Sequence, residues 1–186
     1  SSIWVVPVKR PAIDAEDARL ELARRFLRWL GPATTDRFAW WAGIEPPDAR
    51  ATWQALGPEL VTVDLGGERR FVLASDLDAL EGAEPVEGVR LIPHADPLIK
   101  TDAALVVPDE RRRFEIFPQP AVRTDFWPVA GAVLVGGAVA GSWARQRGRV
   151  TVNPWKRLSA RVRDAISDEA LSFPIAGGRA EVRWTS

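Results

Sequence analysis

The residues best equipped for chemistry in this chain lie in one short stretch, GSWARQRGRV, residues 141–150. It places Trp143 two positions before Arg145, and Arg147 and Arg149 follow at every second residue. Alternate residues of a strand share a face. An extended chain would therefore line Trp143, Arg145, Arg147 and Arg149 along one side, with a tight turn near Gly148 disturbing the alternation at Arg149. Arginine pairs bidentately with phosphate, and tryptophan stacks on a base or wedges into a groove. Lys156 and Arg157 follow Pro154, and Arg161 and Arg163 continue onto the next helix. From Phe126 to Arg163 there are seven Lys or Arg and no Asp or Glu. Such a run reads as a surface that grips a polyanion. Its alternative is a solvated hairpin with Trp143 packed inward, because surface arginines are common. Whether Trp143 faces a ligand or the core stays open at this level.

Other constellations carry less. His94-Ala95-Asp96, with Asp102 nearby, has the residue types of a metal or acid–base site. A metal needs more ligands, and a turn beside Pro97 is the simpler reading. Glu110-Arg111-Arg112-Arg113 reads as the exposed face of a short helix. There is no glycine-rich phosphate loop with a lysine, no Gly-x-Ser-x-Gly and no His-Glu-x-x-His. No catalytic residue, metal or cofactor is expected.

Composition sets the bounds. The 186 residues suffice for one large or two small domains, and nine Trp with seven Phe supply bulky core anchors. The absence of Cys excludes disulfides and thiolate chemistry and is compatible with a reducing cytoplasm, where the protein is expected. With a single His, a structural zinc site lacks ligands. The longest apolar stretch, Val129 to Ala140, is broken by glycines and too short to span a bilayer. No membrane partner and no signal peptide are expected. The chain begins at Ser1 and contains no Met, which reads as a fragment of a longer protein. A net charge of zero argues against a binder that is basic in bulk. The charge is segregated, however: Asp76, Asp78, Glu81, Glu84 and Glu87 form an acidic segment opposite in sign to the basic one.

The elements that must position these residues follow from periodicity. Residues 1–16 form a lead-in segment with a strand-like run, Ile3 to Val6, closed by Pro7. A helix starts near Asp14 to Asp17, with Leu20, Ala23, Leu27 and Leu30 as its apolar stripe and Gly31-Pro32 as its end. Thr34 or Thr35 caps a second helix that ends at Gly43. A third opens at Pro46-Pro47 and turns Ala49, Trp53 and Leu56 inward. Val61 to Leu65 and Arg70 to Ala74 then alternate around Gly66-Gly67 as a hairpin. Three short helices and a hairpin are the winged-helix order, over residues 17–80. In such folds the third helix enters the major groove and the wing touches the DNA backbone. The candidates there are Arg50, Thr52 and Gln54 on the helix and Arg69 and Arg70 on the wing. They form a weak base-reading set, and Asp48 among them repels phosphate.

The acidic segment is the candidate boundary, and residues 88–186 read as a second domain. Val89 to Ile92 is a strand and Pro108 to Phe114 a short helix. Val129–Val135, Ala138–Arg145 and Arg149–Val152 form a meander with turns at Gly136-Gly137 and Arg147-Gly148. Ser159 caps a helix from Ala160 to about Phe173, and Ala180 to Trp184 is a last strand. The fold class is α+β: a winged helix-turn-helix followed by a small antiparallel β-barrel-like domain with helices.

RRFLRWLGPATTDRFAWWAGI (residues 24–44) and DARATWQALGPELVTVDLGGERRFVL (residues 48–73) resemble one module of a bacterial family of tandem winged-helix DNA-binding proteins. Their best-understood members are AlkZ-like DNA glycosylases of crosslink and alkylation repair. IPHADPLI (92–99), PDERRRFEIF (108–117) and the run from Val129 to Ser159 resemble the family's Pro-x-x-Asp-Pro segment, its short basic helix and its Trp- and Arg-bearing hairpin. The resemblance implies tandem winged helices closed by a barrel-like domain. It also implies a Gln-x-Gln or Gln-x-Asp motif for hydrolysis. Here Gln54, Gln119 and Gln146 have neither Gln nor Asp two residues on, so no catalytic residue carries over. Either the catalytic module lies upstream or this member never carried it.

The leading expectation is thus the DNA-binding portion of an AlkZ-like repair protein, monomeric, holding double-stranded DNA by its backbone. The alternatives are a winged-helix transcription regulator, which needs a dimer and specific sites, and a non-catalytic protein-interaction module.

Overall fold

The computed structural model describes Pro7, Lys9 and residues 12–117, 129–174 and 180–185. The strand expected at Ile3 to Val6 lies outside the described residues. The chain divides into two compact units, Ser1–Gly82 and Ala83–Ser186.

In the first unit, α1 (Ala15–Leu30) is capped by Asp14, whose carboxylate accepts from the Glu16 amide at 2.8 Å. Acids in its first turn complement the helix dipole, and Ala23, Phe26 and Leu27 form its buried stripe. Helix α2 (Thr35–Ala42) is capped by Thr34, whose Oγ1 accepts from the Arg37 amide at 3.3 Å. It ends at Gly43 in the left-handed conformation, φ 65°. Helix α3 (Pro46–Ala55) tolerates its two leading prolines because first-turn amides have no helical partner. Strands β1 (Leu60–Leu65) and β2 (Glu68–Leu73) pair antiparallel, with Leu60 opposite Leu73. Their turn needs left-handed backbone at both Gly66 (φ 65°) and Gly67 (φ 84°). A file of rings joins helices to hairpin: Phe26–Phe38 at 5.4 Å, Phe38–Trp53 at 5.2 Å and Trp53–Phe71 at 6.3 Å. Each such pair contributes about 1 kcal/mol beyond its area burial. Ala33 and Phe71 exchange backbone hydrogen bonds of 3.0 and 2.9 Å, which dock β2 onto the α1–α2 connection. The acidic segment contains one helix turn that its composition did not announce, α4 (Leu77–Glu81).

The second unit runs β3 (Val89–Pro93), α5 (Pro97–Thr101), α6 (Ala103–Val106), α7 (Glu110–Ile116), β4 (Val129–Val135), β5 (Ala138–Gln146), β6 (Arg149–Pro154), α8 (Ala160–Leu171) and β7 (Glu181–Trp184). Its sheet has the order β3-β4-β5-β6-β7. The first three pairings are antiparallel and the last, β6 with β7, is parallel. The expected antiparallel, barrel-like closure is therefore corrected: the sheet is mixed and open, with β3 and β7 as its edges among the described residues. The cause is α8, since a helical crossover returns the chain in its original direction, where a tight turn would reverse it.

Period-two alternation gives this sheet two buried faces. Val89, Leu91, Val133, Trp143, Val150 and Val152 pack with Ile166 and Ala170 of α8. Ala132 and Ile92, of opposite parity, pack with Ile99, Val107 and Ile116 from α5 to α7. The order is thus helix, sheet, helix. Gly131, opposite Trp143, permits a close approach of β3: a Cβ there would lie 1.9 Å from the Ile92 carbonyl oxygen. That same oxygen accepts from the Trp143 indole Nε1 at 3.1 Å.

Candidate nucleic-acid interface

The basic hairpin forms where expected. β5 and β6 pair with Trp143 opposite Val152, Arg145 opposite Val150 and Gln146 opposite Arg149, leaving Arg147-Gly148 as a two-residue turn. Arg147 holds φ 55°, a left-handed backbone that non-glycine residues seldom adopt. Opposed residues share a face, so the four residues of the stretch do not line one side. Arg145 lies on the α8 side with Trp143 and Val150. Arg149 lies on the α7 side with Gln146, and Arg147 stands at the tip. Trp143 is buried at 4% exposure, in ring contact with Phe173 at 5.3 Å. It anchors the strand, and its side chain is closed to a ligand.

The basic stretch is free of acids in sequence but not in space. Glu115 of α7 accepts three hydrogen bonds at a single carboxylate oxygen: Ser142 Oγ at 2.8 Å, Asn153 Nδ2 at 2.7 Å and Trp155 Nε1 at 2.8 Å. It pins α7 to β5 and β6, and Arg112 of α7 stacks over the Trp155 ring at 5.1 Å. Glu181 of β7 is the second intruder. Its Oε1 accepts from Arg183 Nε at 2.9 Å and its Oε2 from Arg149 Nε at 3.4 Å. These two arginines, Arg183 first, hold the Glu181 carboxyl below the usual carboxylate range. A recess of about 570 Å³ at this end is lined by Gln146, Arg147, Gly148, Arg149 and Glu181. Lys156 and Arg157 are exposed on the connection to α8. Arg163, on α8, stacks over Trp184 at 4.2 Å.

The first unit sorts its candidates more sharply. Arg50 and Gln54 are exposed on α3, and Arg69 is exposed on the hairpin, with Nη2 3.4 Å from Thr62 Oγ1. Thr52 is excluded from any surface: it is 5% exposed and its hydroxyl donates to the Asp48 carbonyl at 2.8 Å. Arg70 is likewise buried, at 4% exposure. Its guanidinium pairs with Glu68 and donates to the Pro32 carbonyl at 3.2 Å, which clamps the hairpin to the α1–α2 connection. The reason in both cases is parity. Thr52 falls in the stripe of Ala49 and Trp53, and Arg70 shares its face of β2 with buried Val72.

His94 and Asp96 serve local structure. His94 Nδ1 lies 2.9 Å from the Ala130 carbonyl, and Asp96 caps α5 by accepting from the Leu98 amide at 2.9 Å. Among the described residues no group of three or more His, Cys, Asp or Glu could hold a metal ion. None of the described helices is long and apolar enough to cross a membrane.

Sequence reasoning missed Glu115 and Glu181. The Glu115 signal was faint, one acid next to an apolar Ile116 on a basic helix. Glu181 gave none, because it reaches Arg149 only through the parallel pairing of β7.

Three helices with a hairpin, and a mixed sheet between helices, are a fold that recurs in part of a solved structure. The solved structure of the Streptomyces sahachiroi DNA glycosylase AlkZ matches 96% of this chain, over 48% of its own length, with a TM-score of 0.68 at 23% identity. The sequence profile of the AlkZ-like DNA glycosylases matches residues 3–173, and the chain belongs to that family. An interstrand DNA cross-link repair glycosylase of Streptomyces sahachiroi is 24% identical over 172 residues, which cover 89% of this chain and 44% of that protein. The chain thus spans a little under half the length of the relatives it matches.

Proposed function

We infer that these 186 residues are a DNA-holding part of a repair protein that acts in the bacterial cytoplasm on duplex DNA. Contacts run to the phosphate backbone and carry little sequence information. The first unit serves as a winged helix, offering Arg50, Gln54 and Arg69. The second offers Arg145, Arg147, Arg149, Lys156 and Arg157. The observation that carries the reading is the clustering of these five cations, from a stretch without acids, on one hairpin and its outgoing connection in a family of DNA glycosylases. With one arginine and one glutamine exposed on α3, base reading is weak. This favours a backbone holder over a sequence-specific regulator.

No residue here is assigned to base hydrolysis, since neither Gln-x-Gln nor Gln-x-Asp occurs in the chain. Binding through several phosphates makes affinity fall steeply with salt, with a slope of about −0.9 per phosphate neutralised. Replacing Arg145, Arg147 and Arg149 together by Ala is expected to flatten the slope of duplex binding by about 2 to 3. An unchanged slope in the folded variant would remove the hairpin from the interface.

A further inference from the structure

The parallel pairing of β7 builds a polar ladder beside the region that α7 covers. Arg149 stands opposite Glu181 and Thr151 opposite Arg183, so these four side chains share the α7 face of β6 and β7. Valines of opposite parity, Val150 and Val182, belong to the α8 side. Arg149, Arg183 and Glu181 are all more than half exposed. The two arginines converge on one carboxylate, each through its Nε, one on either oxygen. Their Nη groups have no partner among the described residues. Glu181 is the only acid on the two strands.

We propose that Arg149 and Arg183 form a seat for one backbone phosphate of DNA, and that Glu181 is its resident occupant, a carboxylate that turns away when the phosphate enters. The proposal rests on the DNA-holding reading above and adds to it a named contact, Arg183, and a built-in competitor. Arginine meets carboxylate and phosphate in the same forked geometry, so a group held by two arginines marks a place where a phosphodiester's two free oxygens fit. The recess lined by Gln146, Arg147 and Gly148 adjoins this pair and gives the larger group room. Stability is only a small competing reason for the acid, because exposed ion pairs contribute little to folding. Strand β7 is held independently by its backbone ladder and by Val182 and Trp184 packed against the core. The consequence of Glu181 is to neutralise two cations that would otherwise hold any passing polyanion. Its displacement makes weak, non-specific binding weaker still.

The test measures duplex affinity against salt for the wild type, Glu181→Gln, Arg183→Ala and the double variant, with Glu87→Gln as a control that removes an acid elsewhere in the same unit. Glu181→Gln is expected to bind duplex on the order of 3- to 10-fold more tightly at low salt and to steepen the slope by about one phosphate. Arg183→Ala is expected to weaken binding and to abolish the gain in the double variant, while Glu87→Gln changes little. Glu181→Ala serves as the second removal of the carboxylate, and a thermal melt checks that each variant folds. If the wild type binds duplex and Glu181→Gln binds no more tightly, or gains only as much as Glu87→Gln, the seat is overturned while the DNA-holding reading stands. If neither the wild type nor Glu181→Gln binds duplex even at low salt, both fall.

Discussion

Tryptophan 143 shows how one side chain can suit two environments by type and only one by position. A tryptophan beside three arginines has the composition of a DNA wedge. Here the indole is buried, its N–H donates to the Ile92 carbonyl and its ring meets Phe173. Its contribution to any ligand is indirect, through the anchoring of β5 in the core. Trp143→Phe removes a hydrogen bond and leaves a void, and is expected to cost about 1 to 3 kcal/mol of stability. Equilibrium denaturation would read that loss, and salt titration of the folded variant should show the wild-type slope. A loss of duplex affinity without a loss of stability would place Trp143 in the interface after all. Thr52 and Arg70 teach the same lesson, Thr52 by falling in the buried stripe of its helix and Arg70 by being buried beside Val72 on the face of β2 opposite Phe71 and Leu73.

At the scale of the element, the meander of β4, β5 and β6 is shaped by two glycines as much as by its arginines. Gly131 lets Ile92 approach β4, and Gly141 lets Asn153 approach β5, where a Cβ would lie 2.4 Å from the Asn153 carbonyl oxygen. The obstacles are backbone atoms, which cannot rotate aside. Gly131→Ala is therefore expected to destabilise the second unit by about 2 kcal/mol or more, through overpacking against β3. A melting temperature equal to the wild type's would contradict the closeness of that approach. The elements themselves were largely legible. Ser159 is a cap by residue type and proves to be one in space, and of Thr34 and Thr35 it is Thr34 that caps its helix. Gly66-Gly67 and Arg147-Gly148 mark turns because their flanks alternate. The short helices α5 and α6 escaped detection, as four or five residues carry no readable helical period.

For the whole molecule, zero net charge conceals a surface organised by pairs. Asp14, Glu21, Glu59 and Glu181 all titrate below the usual carboxylate range. Backbone amides, that of Glu16 foremost, act on Asp14; Arg25, Arg24 and Arg183 are the leading partners of the three glutamates. A carboxyl whose folded pKa lies below its unfolded value stabilises the fold above the unfolded value. That contribution is lost as pH falls through the folded one. Stability is thus expected to decline as pH drops below the ordinary carboxylate range. The Glu59 carboxylate, which accepts from Arg24 Nε at 2.8 Å and Nη2 at 2.7 Å across 35 residues, offers a clean probe. Glu59→Gln should melt below the wild type at neutral pH, and the gap should close in acid. A gap of constant size at all pH values would show that the ion pair is not its source.

By itself the sequence determined the local events: caps, turns, strand periodicity, the order of three helices and a hairpin, and the concentration of cations around Arg145 to Arg163. These depend on neighbours along the chain, and neighbours are what a sequence displays. Only the tertiary structure decided which cations reach solvent, that the sheet stays open, and that two carboxylates from far away settle on the basic stretch. Glu115 arrives by helix packing and Glu181 by a parallel strand 32 residues beyond Arg149. Such meetings depend on the crossover through α8 and on the side from which each element approaches the sheet, and no residue near Arg149 encodes either.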